Sequence, residues 1–429
     1  MGKGYFTEVR VTDFGPYVTK IILPMGAVVK KDAVDEGTFS VYVNRLDQDG
    51  NQLMVPRRMS FDPEAMKDVV ESKGYLKVLC AYPSDKCGNA LDEGCFVTLM
   101  IDHGPHAGMA AELASVKGYN CFIYTVHTIT QLKDIPVENG ALKGLVFDRK
   151  LDTYKPDLYG WINDVSSYEA CPLRYGYFVP QGPGEKKPLV IWLHGAGEGG
   201  FDTTAAYAGN KVTALSSKEV QAFFGEGGAY VLAPQTETFW MDSGSGHIEA
   251  NGKTLYGPAL KACIDEFVCK NPSIDKDRIY IGGDSNGGFM TVRMILDYPD
   301  YFAAAFPVCE ALPDKYISDE ELEGIKNLPI WFTAAKTDTL VPPAEYAEPT
   351  YKRLVAAGNP DVHFSYWDKI EDLHGLSPEV EGKKYEYFGH FSWIPLFNND
   401  CDFDYDGQPV LCEGKKISVL EWLGKHSRH

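Results

Sequence analysis

The sequence predicts two domains, an all-β sandwich followed by an α/β domain whose mostly parallel sheet carries helices on both faces. The chain has 429 residues, which suits two domains better than one. Up to about residue 150, short alternating segments are separated by turn signals, whereas from about residue 168 apolar strand patterns alternate with helical patterns. Apolar strands between helices indicate parallel strands that are buried on both faces.

The first predicted domain, residues 1–150, is an immunoglobulin-like β-sandwich, because several short strands follow one another at regular spacing. Turn signals such as Asp49-Gly50-Asn51 separate these strands. The segments predicted as strands are Tyr5–Val11, Val18–Leu23, Thr38–Val43, Tyr75–Ala81, Cys95–Ile101 and Tyr119–Ile129. A short helical pattern lies near Pro63–Lys73. The polar residues 151–167 are predicted to form a linker.

The second predicted domain, residues 168–429, is the α/β one. Its predicted strands are Tyr175–Val179, Pro188–Leu193, Ala229–Ala233, Arg278–Ile281, Ala303–Val308, Pro329–Thr333 and Val362–Trp367. Its predicted helices are Leu255–Cys269, Gly287–Leu296, Ala344–Ala356 and Ile417–Gly424. The helix after Arg278–Ile281 follows almost at once, which leaves a tight turn between the two elements.

Charge and composition exclude several classes of partner. The net charge of −19 argues against nucleic acids and anionic membranes, because both would repel the chain. The sequence has no apolar run long enough to span a membrane, and the N-terminus has no secretory apolar segment. Together with ten scattered cysteines, this predicts a cytoplasmic protein. If the protein is instead exported after loss of a signal peptide, Cys401 and Cys412 could form a disulfide.

The tight turn reads Gly283-Asp284-Ser285-Asn286-Gly287, between an apolar strand and a helical pattern. This is the G-x-S-x-G nucleophile elbow of the α/β-hydrolase fold, which exposes a serine on a strained strand-to-helix turn. The glycines leave room for the turn. The alternative is a purely structural glycine-rich turn. The strand before and the helix after favour Ser285 as a nucleophile.

A nucleophilic serine needs a base, and the base needs an acid to orient it. In this fold the acid follows the serine in the chain and the histidine comes last. Asp338 comes directly after an apolar strand and is the predicted acid; an Asx-turn role is the structural alternative. Glu310 and Asp314 are the other acidic candidates.

Two histidines are candidates for the base. His374 lies nearer the preceding strand, whereas His390 follows a glycine and precedes bulky aromatic residues that would hold an imidazole in place. We favour His390 and keep His374 as the alternative. His363 lies within a strand and is predicted to be structural.

The oxyanion hole requires two backbone N–H groups. Asn286 follows the nucleophile and supplies one, and Ala196, in the glycine-rich loop after Pro188–Leu193, is predicted to supply the other. Glu198 is predicted to orient this loop or to contact a substrate hydroxyl. The loop lacks the G-x-x-x-x-G-K-[ST] pattern of phosphate binding. Trp240 and Trp393 are candidates for the substrate pocket, with plain core packing as the alternative.

One further pattern concerns metal binding. Asp402, Asp404, Asp406 and Glu413 follow the spacing of a calcium loop, D-x-[DN]-x-[DN]-G-x5-E. Pro409 is unusual at its place in such a loop, and an Asp-Gly pair is also a hairpin turn signal. We therefore expect an acidic hairpin and no metal or other cofactor.

At the elbow, the His194-Gly195-Ala196 loop, the Asp338 loop and the Gly389-His390-Phe391 segment, the sequence resembles two-domain α/β-hydrolase esterases with an N-terminal immunoglobulin-like domain. These proteins are similar to feruloyl esterases and polyhydroxybutyrate depolymerases, and are often grouped with prolyl-oligopeptidase-family serine hydrolases. The resemblance implies the residue roles given above and supports His390 over His374.

The predicted function is that of a serine carboxylic-ester hydrolase. The resemblance implies short-chain esters, or cinnamoyl and acetyl esters linked to plant polysaccharide, so that the partner is a small-molecule or oligosaccharide ester. The first alternative is a serine peptidase of the prolyl-oligopeptidase type, although about 160 residues are too few for a seven-bladed propeller. The second is a non-enzymatic carbohydrate- or surface-binding protein.

Overall fold

The computed structural model describes residues 2–57 and 67–428, and the chain divides into two compact units, Met1–Tyr159 and Gly160–His429. The predicted linker, residues 151–167, contains the end of one strand, a 3-10 turn and a further strand. All seven tryptophans of the chain lie in the second unit.

The described part of the first unit is built from strands joined by short turns. The strands are β1 (Lys3–Thr12), β2 (Gly15–Lys30), β3 (Phe39–Leu46), β4 (Met54–Pro56), β5 (Val69–Glu71), β6 (Lys73–Leu76), β7 (Val78–Ser84), β8 (Glu93–Ile101), β9 (Leu113–Val116), β10 (Tyr119–Phe122), β11 (Tyr124–Gln131), β12 (Ile135–Val137), β13 (Gly140–Leu142) and β14 (Val146–Tyr154).

The main sheet of the first unit has the strand order β6-β3-β11-β14-β1-β2-β8-β7. Although β3 and β7 are far apart in this order, they contact each other, so the sheet folds back on itself. Alternate side chains of β3, including Phe39, Val41 and Val43, point into one buried apolar cluster. The predicted all-β sandwich is therefore confirmed.

Two predictions for this unit need correction. The helix near Pro63–Lys73 is wrong where the structure describes it, because Val69–Glu71 and Lys73–Leu76 are strands; its residues 63–66 lie outside the described residues. The second is that no strand was predicted at β14, whose only fully buried side chain is that of Phe147. Backbone pairing with β1 and β11 holds this strand in place, and backbone pairing leaves no hydrophobic pattern to detect.

The second unit combines one large sheet with helices. Its strands are β15 (Trp161–Val165), β16 (Arg174–Phe178), β17 (Lys187–Leu193), β18 (Tyr230–Gln235), β19 (Ile274–Asp284), β20 (Ala304–Val308), β21 (Ile330–Ala335), β22 (Val362–Trp367), β23 (Leu411–Cys412) and β24 (Lys415–Lys416). Its α-helices are α1 (Ala205–Ala208), α2 (Lys218–Ala222), α3 (Gly257–Lys270), α4 (Asn286–Asp297), α5 (Asp319–Gly324), α6 (Ala347–Ala356), α7 (Trp393–Phe397) and α8 (Val419–Leu423).

The large sheet has the order β15-β16-β18-β17-β19-β20-β21-β22. Neighbouring strands from β18 to β22 are parallel, whereas β16 pairs antiparallel with both β15 and β18. Helices cover both faces. Ile191 and Leu193 share a buried cluster with side chains of α3 and α4, whereas the intervening Trp192 packs against Phe397 of α7 with tilted rings. Because parallel strands end at the same edge, the segments after β17, β19, β20 and β21 lie close together.

The structure adds short elements that sequence analysis missed. Helices α1, α2, α5 and α7 have four to six residues each, too few to show a helical period. No described helix combines the length and the apolarity needed to cross a bilayer. All ten cysteines, including Cys401 and Cys412, are free thiols.

Phe267 of α3 is fully buried and packs edge-on against Tyr175, Tyr177 and Tyr230 of the sheet. We expect Phe267→Ala to lower the free energy of unfolding of the second unit by about 3–5 kcal/mol, because it leaves a cavity. Urea unfolding followed by circular dichroism measures this. The exposed Val355→Ala on α6 is the control, with an expected change within about 0.5 kcal/mol; equal losses in the two variants would contradict the role of this contact.

Candidate active site

Ser285 occupies a strained turn between β19 and α4. Its backbone has φ 55° and ψ −112°, a conformation that non-glycine residues rarely adopt. The Ser285 N–H donates to the carbonyl of Val308 at the end of β20 (2.9 Å). The turn has the strand-to-helix geometry that the G-x-S-x-G pattern predicts.

The glycines of this turn allow two backbone segments to touch. A Cβ atom at Gly287 would lie 1.9 Å from the carbonyl oxygen of Leu193, and one at Gly283 would lie 2.5 Å from the same oxygen. Leu193 is the last residue of β17. Only glycine therefore lets the start of α4 pack against the end of β17, from which the predicted oxyanion loop begins.

The loop after β17, residues 195–200, is here called the oxyanion loop. Ala196 opens a 3-10 turn and Asn286 opens α4, so both N–H groups belong to first turns, where helical geometry provides no acceptor. These are the two N–H groups that the sequence assigns to the oxyanion hole. Their role remains a prediction.

His194 fixes the start of the oxyanion loop. Its Nε2 accepts a hydrogen bond from the Thr236 N–H (3.2 Å), which leaves the proton on Nδ1 to be donated to the Gly195 carbonyl (2.6 Å). Burial lowers the pKa of His194 to about 4, so the ring is neutral at pH 7. A neutral histidine with both nitrogens bonded braces the loop.

The two predicted pocket tryptophans are buried. Trp240 is fully buried, and its backbone N–H donates to the Asn286 side-chain oxygen (2.6 Å), which ties its loop to the nucleophile turn. Trp393 is 7% exposed and sits edge-on to the His390 ring at 6.3 Å. Both tryptophans thus support site residues directly, and contact with substrate remains a prediction.

Asp338 and His390 form a buried pair across 52 residues of chain. His390 Nδ1 and Asp338 Oδ2 are 2.7 Å apart, and both side chains are nearly inaccessible. The other oxygen of Asp338, Oδ1, accepts the N–H groups of Leu340 and Val341 at 2.9 Å each. With the Nδ1 proton donated to the carboxylate, Nε2 is the nitrogen left to act as a base.

Gly389 permits this approach. A Cβ atom there would lie 2.4 Å from the Thr337 carbonyl carbon and 2.5 Å from the Asp338 nitrogen. The histidine segment therefore packs directly on the backbone of the acid loop.

The alternative residues have other partners. His374 is exposed and its Nε2 lies 2.9 Å from Asp400 Oδ2. Burial opposes protonation of His363, but hydrogen bonds to Asp361 and Asp404 raise its pKa to about 9, in keeping with a structural role. Neither histidine contacts Asp338 within the described residues.

The two other acidic candidates have partners of their own. Asp314 pairs with Arg353 at 2.8 Å. Glu310 is buried, which raises its pKa to about 8, and its carboxyl accepts the Leu312 N–H at 2.7 Å. The geometry thus joins His390 to Asp338.

Two acidic side chains of the calcium-like pattern bind other residues of the chain. Asp404 binds His363 and the Phe364 N–H, and Asp402 pairs with Lys416 at 2.6 Å. The Gly407 N–H donates to the Asp404 carbonyl in a tight turn. In the part of the chain that the structure describes, no group of three or more potential ligands has the arrangement of a metal site.

The strand order and the strained serine turn define the second unit as an α/β-hydrolase fold. Residues 6–143 match the model of the esterase Ig-like N-terminal domain, and residues 258–322, which include Ser285, match that of the prolyl oligopeptidase family. The predicted resemblance to two-domain esterases with an N-terminal immunoglobulin-like domain is confirmed. The matches support a hydrolase of the esterase type.

Individual relatives agree with this class. Poly(3-hydroxyalkanoate) depolymerase C of Paucimonas lemoignei is 31% identical over 157 residues, and the match covers 34% of this chain and about a third (34%) of that protein. A solved thermostable esterase is 21% identical, with a TM-score of 0.72 over 99% of both chains. At that identity the solved structure shows the fold alone.

We expect Gly389→Ala to push the histidine segment off the Asp338 loop, because its Cβ has no space. A misplacement of about 1 Å typically costs about 10²-fold in rate. The rate of covalent labelling by a fluorophosphonate measures this. Gly324→Ala at the end of α5, where the nearest atom to a Cβ is 4.0 Å away, is the matched control, and similar rates in the two variants would contradict the packing argument.

Proposed function

We propose that the chain is a serine carboxylic-ester hydrolase with Ser285 as nucleophile, His390 as base and Asp338 as acid. The strongest support is the buried 2.7 Å contact between His390 and Asp338, in a unit whose G-x-S-x-G serine has the strained conformation of a nucleophile elbow. Three segments far apart in sequence supply the residues in the chain order expected for this fold.

The proposed reaction has two steps. His390 Nε2 takes the Ser285 proton while Oγ attacks the ester carbonyl, and the Ala196 and Asn286 N–H groups bind the oxyanion. Return of the proton to the alcohol releases it and leaves an acyl-enzyme. Water then attacks the acyl group with the same base, and Asp338 stabilises the imidazolium in both steps.

For the substrate, we propose short-chain esters or cinnamoyl and acetyl esters of plant polysaccharide, presented as small molecules or oligosaccharides. The named activity of the depolymerase relative, cleavage of a polyester, supports carboxylic esters as the bond class. The match to the prolyl oligopeptidase family favours a serine peptidase as the second candidate.

Hydrolysis of p-nitrophenyl acetate and methyl ferulate by the full chain tests the proposal. We expect Ser285→Ala, His390→Ala and Asp338→Asn each to lower kcat by about 10⁴-fold or more, because the three act as a unit. His374→Ala is the matched control and should keep its activity, since its imidazole pairs with Asp400. Loss of activity in His374→Ala with retention in His390→Ala would overturn the assignment of the base.

The substrate class follows from a comparison of rates. We expect ester cleavage to exceed cleavage of aminoacyl and prolyl p-nitroanilides by a large factor in kcat/KM. Faster cleavage of the anilides would identify a peptidase, and no turnover of either class would favour a binding protein. The ratio of ferulate to acetate turnover then defines the acyl preference.

A further inference from the structure

Two buried acidic residues flank the proposed site without a role in the reaction described above. Asp284 directly precedes Ser285 and is 1% exposed. Glu198 ends the 3-10 turn of the oxyanion loop and is 5% exposed. One residue thus belongs to the nucleophile turn and the other to the segment that carries Ala196.

The two carboxyl groups approach the same glycine. A Cβ atom at Gly195 would lie 2.6 Å from Asp284 Oδ2 and 3.2 Å from Glu198 Oε2. Asn210 Nδ2 donates to Asp284 Oδ2 at 2.9 Å, and the stem of Glu198 packs on Gly209, where a Cβ would be 2.6 Å from Glu198 Cγ. The arrangement places both acids directly against the backbone of the oxyanion loop.

Two carboxylates so close in a buried site cannot both remain ionised. Burial raises the pKa of Asp284 well above its usual range, and the charge of Glu198 raises it further. Within the described residues, Asp284 Oδ1 receives no hydrogen bond, whereas a buried carboxylate needs donors at both oxygens. Asp284 is therefore the member that holds the proton.

We propose that Asp284 and Glu198 form an acid–carboxylate pair that fixes the oxyanion loop against the nucleophile turn, so that both are positioning residues for the oxyanion hole. This inference rests on the proposed ester hydrolysis. A hydrogen bond from Asp284 to Glu198 links the segment of Asn286 to that of Ala196. It holds the two backbone donors at the separation that an oxyanion requires.

Among the other groups near Asp284, Glu310 packs against Gly288 of α4, and burial raises the pKa of its carboxyl to about 8. Burial raises the pKa of the Cys309 thiol well above its usual range, and His194 is neutral because burial lowers its pKa to about 4. Asn210 is neutral, and the ammonium group of the following Lys211 donates to Asn398. Because Glu310 is unchanged in Asp284→Asn, the difference in pH dependence between this variant and the wild-type chain reports on the carboxyl pair.

Alanine and asparagine at position 284 separate positioning from general stability. We expect Asp284→Ala to lower kcat for p-nitrophenyl acetate by about 10²-fold with KM within about threefold, as for loss of an oxyanion donor. Asp284→Asn, which can still donate to Glu198, should recover most of this loss. Asp361→Asn at the amino end of β22 is the matched control, since its carboxylate pairs with His363 on the opposite edge of the sheet.

The pH dependence of stability tests the shared proton without any turnover. Between the pKa of Asp284 in the unfolded chain, about 3.9, and its raised pKa in the folded chain, the folded state binds one proton more. The free energy of unfolding of the wild-type chain should therefore fall with rising pH relative to that of Asp284→Asn. The difference in slope should correspond to about one proton bound on folding. Urea unfolding midpoints from pH 5 to pH 8 measure this slope.

The outcomes separate the two proposals. If the wild-type chain cleaves no ester, the proposed function fails, while the stability slopes still report on the pair. Parallel slopes for the wild-type chain and Asp284→Asn would overturn the shared proton. Full kcat in Asp284→Ala, or an equal loss in Asp361→Asn, would overturn the positioning role.

Discussion

The site depends on direct contact between backbone segments at glycine residues. Gly287 brings the start of α4 onto the carbonyl of Leu193, and Gly389 brings the histidine segment onto the backbone of Asp338. At both places a single methyl group would overlap main-chain atoms. Because the backbone is held this closely at Gly389, the side chains of Asp338 and His390 reach each other over a short distance.

Hydrogen bonds of polar side chains hold the same segments in place. The Asn286 side-chain oxygen accepts the backbone N–H of Trp240, and His194 links the start of the oxyanion loop to Thr236. The N–H groups of Leu340 and Val341 donate to the other oxygen of Asp338, which keeps its carboxylate oriented towards His390. These contacts fix the geometry within the chain itself, which is the condition that the proposed oxyanion hole requires.

Much of this arrangement could be predicted from the sequence, because it follows local patterns. The serine turn has a fixed five-residue signature, and Asp338 comes at the end of an apolar strand. The histidine was harder, since loop length favours His374 whereas the flanking Gly389 and aromatic residues favour His390. The structure distinguishes them, because His390 contacts Asp338 and His374 contacts Asp400. Strands such as β14 leave almost no hydrophobic pattern. The proximity of Asp284 to Glu198 depends on tertiary contact between segments, which no local pattern records.

The confinement of all seven tryptophans to the second unit has a spectroscopic consequence. Excitation at the red edge of protein absorption selects indole, so the emission of the intact chain comes from the α/β unit alone. Trp192, Trp240 and Trp331 are fully buried, and exposure to water on unfolding shifts their emission to longer wavelength. The first unit contributes only tyrosine emission. A single sample can thus follow the opening of the α/β unit optically while far-ultraviolet dichroism follows both.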